Sequence, residues 1–119
     1  SGGFREILLA SGRRLGLPDA AVHGVQCRWG PAGELVDLDP ENGFLVSKVE
    51  GLRRLHNLPS EPRVGVGDGA TDLALREAGF VNTFVAYTEH ARRAPVVADS
   101  DYEAASMGAL ASILETLIG

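Results

Sequence analysis

The spacing of apolar residues changes several times along the chain, and each change marks an element. Phe4, Ile7, Leu8 and Leu15 recur at helical spacing, and Gly16 before Leu17-Pro18 is a stop, so a helix is predicted over 4–15. It opens directly on Ser1-Gly2-Gly3. Val25, Cys27 and Trp29 then alternate with Gln26 and Arg28, and Gly30-Pro31-Ala32-Gly33 turns the chain into 34–38, which predicts a hairpin. Residues 39–43 are rich in turn formers. Ser47 with Glu50 three positions on spells a capping box, and Val49, Leu52 and Leu55 give the helix that follows one apolar face. Lys48 falls in its first turn, where the helix dipole disfavours a cation.

The second half reads differently. A short apolar strand at 64–66 runs into Gly67-Asp68-Gly69-Ala70-Thr71-Asp72 and then into a helix through Leu73, Leu75 and Ala78 that Gly79 ends. A second strand is predicted over 81–87, a short third strand over 95–98, and a closing helix marked by Met107, Leu110, Leu114 and Leu117. Strands alternating with helices give an α/β class with a largely parallel sheet. No internal repeat, low-complexity tract or interdomain linker is visible.

Composition narrows the reading further. At 119 residues the chain is one domain or part of one. It is 45% hydrophobic and 23% charged, which excludes a disordered tail, and no apolar run approaches a membrane span. Eleven basic against sixteen acidic residues, with no basic stripe, argue against a nucleic-acid partner. The single cysteine, Cys27, cannot pair within the chain, and no secretion signal is visible; a cytoplasmic, reducing location is expected.

Three places carry candidate chemistry. In 67–72, Asp68 and Asp72 stand four positions apart in a loop entering a helix, so both can face the carboxyl ends of the strands, where α/β sheets bind ligands. Two oxygen donors there suit Mg²⁺, which takes one or two carboxylates, water and a substrate phosphate; the plainer alternative is an acidic loop whose Asp72 favours a helix start. Gly65, Gly67 and Ala70 also make a loose dinucleotide fingerprint, but Asp68 would repel a pyrophosphate. Ser1-Gly2-Gly3 offers a hydroxyl and amides at a positive helix end, a ready anion site that also has the look of a linker. Lys48 either reaches that anion or is a solvated lysine. At ~4 Å and an effective dielectric of ~20 such a charge pair attracts by about 4 kcal/mol.

Ser-Gly-Gly-Phe-Arg at 1–5, Lys48 opening a helix and Gly-Asp-Gly-Ala-Thr-Asp at 67–72 together resemble the second, third and fourth motifs of the haloacid dehalogenase superfamily, in particular its phosphoserine phosphatase-like members. The resemblance runs over essentially the whole chain. It implies a three-layer, Rossmann-like core and a Mg²⁺-dependent phosphomonoesterase acting on phosphoserine or a similar small phosphorylated metabolite. By position, Ser1 would bond the phosphate with the Gly2 amide assisting, and Lys48 would bridge phosphate and nucleophile. Asp68 would be the direct metal ligand, Asp72 would hold metal-bound water or orient neighbours, and Thr71, where many relatives have Asn, would lie near the phosphate. Gly67 and Gly69 would keep the loop tight.

The same resemblance implies an Asp-x-Asp motif, whose first carboxylate forms a phosphoaspartate and whose second is the general acid and base. In such relatives it precedes the Ser-Gly-Gly motif, with a helical cap between. Asp37-Leu38-Asp39 is such a spelling, and its context is wrong: 34–36 is short and polar for a central strand, and Pro40 follows at once. The chain is therefore expected to be the carboxyl-terminal core portion of a longer enzyme whose upstream part carries nucleophile and cap, and to be inactive alone. A phosphate-binding or metal-binding module without a nucleophile, and a phosphotransferase for another metabolite, are the alternatives. His23, His56 and His90 lack metal-ligand spacing, Trp29 and Cys27 are assigned to the core, and Arg5, Arg92 and Arg93 to solvated faces, the alternative being that Arg5 approaches the active centre and that Arg92 and Arg93 line the cleft.

Overall fold

The computed structural model describes residues 1–119, which divide into two compact units, Ser1–Asn57 and Leu58–Gly119. No helix is long and apolar enough to cross a membrane.

In the first unit, residues 1–4 run beside residues 23–25 in parallel. The main-chain nitrogen of Ser1 donates to His23 O (3.0 Å), Val25 N to Gly3 O (2.8 Å) and Arg5 N to Val25 O (2.9 Å). Gly24 permits this approach, because a Cβ there would sit 2.6 Å from Gly3 O. Helix α1 (Arg5–Arg14) follows and stops at Gly16, whose φ of +76° allows Leu17 N to reach back to Gly12 O and Gly16 N to Arg13 O. Strands β1 (Cys27–Trp29) and β2 (Leu35–Leu38) pair antiparallel, with Arg28 opposite Asp37 and a bulge between Arg28 and Trp29. Helix α2 (Lys48–Arg53) starts at Ser47, whose Oγ accepts from Glu50 N (3.0 Å). The predicted capping box is only half made. Ser47 N donates to Gly43 O, and the Glu50 carboxylate turns to Arg53 and Arg54.

The second unit is a three-stranded parallel sheet in the order β3 (Val64–Gly67), β4 (Thr83–Tyr87), β5 (Tyr102–Ala104). Helix α3 (Ala70–Glu77) links the first two strands and ends at Gly79, φ +80°, by the same backbone device as α1. Helix α5 (Met107–Ile118) closes the unit, capped by Ser106 Oγ, which accepts from Ala109 N (3.1 Å). Phe84, Val85 and Ala86 are fully buried, and Leu73, Phe84, Ala86 and Val96 form the core cluster.

Two expectations are corrected. Residues 95–98 are not a strand but lie in helix α4 (Ala94–Asp99). Pro95 sits in its first turn, where a fixed φ is favourable and no amide is required, and burying Val96 in the core overrides the strand preference of two valines. The third strand lies at β5 instead, with Ala104 its one buried residue. Trp29 is not core: it is half exposed on β1, and its indole N–H donates to Glu6 Oε1 at 2.5 Å. Cys27 is half-buried.

Candidate functional site

In the second unit the Gly-rich loop leaves the carboxyl end of β3, where a doubly wound sheet leaves room for ligands. Asp68 is the first residue after the strand, and its side chain is half exposed. Asp72 lies in the first turn of α3 and folds back, its Oδ2 accepting from Gly69 N (3.2 Å). Gly67 is required by this fold-back, because a Cβ there would fall on the Asp72 carboxyl group. Gly69, at φ −118°, is extended, and a Cβ there would meet nothing closer than 3.6 Å; its share in the loop is the amide bonded to Asp72. Thr71 is exposed in the same turn. A cleft of about 330 Å³ opens here, lined by Val66, Gly67, Asp68, Tyr87, His90 and Ala91.

Arg93, for which the sequence favours a solvated face over the cleft, is bonded to Asp68. Its Nη1 donates to Asp68 Oδ2 (2.7 Å) and to Asp68 O (3.2 Å). The signal that could have found it is positional, since it stands between the end of β4 and the Ala94-Pro95 helix start, and loops after strand ends line the cleft. Arg92 turns elsewhere, to Glu103 at 3.0 Å.

The donor chemistry at Asp68 and Asp72 suits a hard divalent ion. No group of three or more His, Cys, Asp or Glu side chains is gathered to hold a metal, so the chain offers two carboxylates and no closed cage. An ion such as Mg²⁺ takes one or two carboxylates and completes its shell with water and a phosphate.

In the first unit Ser1 Oγ accepts from Gly3 N (3.0 Å), a turn that orients the hydroxyl just before α1. Gly2 is exposed, and a Cβ there would meet nothing within 4 Å, so packing within the chain does not explain a glycine at this position. Lys48 is the first residue of α2 and is half-buried, as the Ser47 cap predicted.

Arg5 is an internal clasp: its Nε donates to Val22 O (2.8 Å) and Nη2 to Asp19 O (2.9 Å). It also lines a second cleft of about 180 Å³ with His23, Asn42 and Arg54, which the sequence did not reveal. Asn42 Oδ1 is buried there without a hydrogen-bond partner. His23 stacks on Phe44, and burial, then the nearby Arg5, pushes its imidazole below the ordinary histidine range. Asp37, considered as a permuted nucleophile, is bound to Arg28, which lowers its pKa, and Asp39 Oδ1 accepts from Glu41 N (3.0 Å).

No model of a known protein family matches the chain. Among curated proteins it is 29% identical over 109 residues to phosphoserine phosphatase, chloroplastic, of Arabidopsis thaliana, covering 86% of this chain and 36% of that protein. Among solved structures it matches a phosphoserine phosphohydrolase-like protein from Francisella tularensis subsp. tularensis SCHU S4, with a TM-score of 0.87 and 32% identity, over 96% of this chain and 53% of the other. It also matches DsGPDH of Dunaliella salina, with a TM-score of 0.70 and 26% identity, over 98% of this chain and 19% of that one. The chain thus spans about a third of the curated relative and about half of the first structural one. In sequence and in fold it is similar to a phosphoserine phosphatase and to a phosphoserine phosphohydrolase-like protein over the part of each that it spans.

Proposed function

We propose that the chain is the carboxyl-terminal core portion of a Mg²⁺-dependent phosphomonoesterase that hydrolyses phosphoserine or a similar small phosphate ester. The nucleophilic aspartate and the cap belong to an upstream part of the same enzyme. The observation that carries the reading is the β3–α3 junction, where Asp68 stands at the strand end and Asp72 is folded back onto Gly69, in a chain similar to a phosphoserine phosphatase. In this reading Ser1 Oγ and the Gly2 amide bind the phosphate, and Thr71 lies beside it. The Lys48 ammonium neutralises charge that develops as the phosphoryl group transfers. Asp68 would hold the metal, and Asp72, which accepts from the Gly69 amide, would orient the loop and the water the metal brings. Magnesium, when bound, supplies the positive charge that screens the phosphoryl oxygens from an incoming carboxylate.

Two measurements test this. In the phosphatase that carries this chain, Lys48→Ala lowers turnover of phosphoserine at least about tenfold; near-normal kinetics would overturn the role of Lys48. The 119-residue chain alone releases no phosphate from a chromogenic ester with Mg²⁺. Release that disappears on Asp68→Asn would overturn the upstream nucleophile.

A further inference from the structure

Arg93 has an anchored backbone and a side chain that reaches the loop after β3. Its carbonyl accepts from Val96 N and Val97 N, both at 3.0 Å, so it begins α4 whatever its side chain does. Its side chain crosses to the end of β3 and places one nitrogen on both the carboxylate and the main-chain oxygen of Asp68. Arg92, one position earlier, pairs with Glu103, so the two adjacent cations divide between two carboxylates and only Arg93 is bonded to a residue that lines the cleft. A divalent ion bound by Asp68 would stand about 2.0–2.1 Å from a carboxylate oxygen. The guanidinium sits 2.7 Å from Oδ2. Two cations drawn to the same oxygen repel each other, and the guanidinium has to withdraw for an ion to take that oxygen.

Resting on the metal reading given above, we propose that Arg93 is a built-in competitor for the divalent ion at Asp68, and that it sets how tightly the site loads. Its effect is on affinity rather than on fold. Half of the Arg93 side chain is exposed, so the guanidinium has solvent to move into and its attraction to Asp68 is screened.

The test is titration of the phosphatase that carries this chain with Mn²⁺, read by water-proton relaxation. Arg93→Gln tightens Mn²⁺ binding about two- to fivefold, the range of a half-exposed ion pair. Arg93→Lys, which keeps the charge, stays close to the parent, and Asp68→Asn loses the site. Arg93→Met repeats the neutral arm should the Gln variant melt early. If both neutral variants bind Mn²⁺ no more tightly than the parent while Asp68→Asn abolishes binding, the competitor role is wrong and the metal site stands. If the parent takes up no Mn²⁺, or Asp68→Asn binds as the parent does, the metal reading itself fails and Arg93 has nothing to compete with.

Discussion

The two units are stabilised by different means. Leu58–Gly119 has a dry centre, with Phe84, Val85 and Ala86 wholly removed from solvent and Leu73 and Val96 packed around them. In Ser1–Asn57 only Val22, Val25 and Phe44 are buried among the larger apolar residues, while Phe4, Ile7, Leu15, Leu17, Trp29, Leu35 and Val36 keep substantial exposure. What orders that unit is polar and local. Arg5 clasps the carbonyls of Asp19 and Val22, Arg13 holds Asp19 at 2.7 Å, Arg28 meets Asp37, and glycines let backbone touch backbone. Exposed pairs of this kind are screened by solvent and contribute little, whereas burying one large apolar side chain contributes roughly 1.5–3 kcal/mol. The lesson is that secondary structure and a cooperative core are separable: both units have the first, and the second is concentrated in one.

Substitutions can break this contrast. Phe84→Ala should cost about 3–5 kcal/mol in urea unfolding, because a fully buried ring leaves a cavity. Ile7→Ala, at 69% exposure, should change stability by no more than about 0.5 kcal/mol. Similar costs for the two would show that the first unit has a core of its own.

Gly67→Ala comes next. Its methyl group collides with Asp72, and the expected penalty is about 1–3 kcal/mol together with weakened divalent-ion binding; full retention of both would remove the structural reason for that glycine.

Asp101→Asn should cost about 1–2 kcal/mol, since Asp101 Oδ2 accepts from Phe84 N (2.7 Å) and Arg76 Nε (3.1 Å). The Phe84 amide, then Arg76, hold this carboxyl below the usual range. The folded form therefore binds its proton later than the unfolded chain does. Its contribution is complete above the ordinary aspartate pKa of about 3.9 and is lost as the pH falls from there through the lowered folded value. Unfolding titrations from neutral to acid pH should show a steeper acid limb for the parent than for the Asn variant.

Much of the fold was legible because its signals are local. Gly16 and Gly79 end helices in the left-handed conformation that a stop requires, Ser47 caps as its hydroxyl suggests, and the glycine-bounded hairpin forms where alternation places it. The errors arise where tertiary burial decides. Pro95-Val96-Val97 has strand-forming residues but buries Val96 from a helix, and β5 has one buried residue and so too little alternation to be seen. Trp29 was assigned to the core by its size, yet its indole nitrogen finds a carboxylate on α1.

The candidate site divides in the same way. Asp68 and Asp72 were visible because a strand, a glycine loop and a helix follow one another without interruption. The partner of Arg93 was not legible, because it lies 25 positions away and only the folded sheet brings the ends of β3 and β4 side by side.

The indole bonded to Glu6 has a practical corollary. It is the one tryptophan, and it reports from the hairpin beside α1, whereas the two tyrosines, Tyr87 and Tyr102, both belong to the parallel sheet. Nature has thus given each half its own chromophore. Emission from the indole follows the loosening of one half and phenol absorbance that of the other, so a single unlabelled sample can reveal whether they melt together or in sequence.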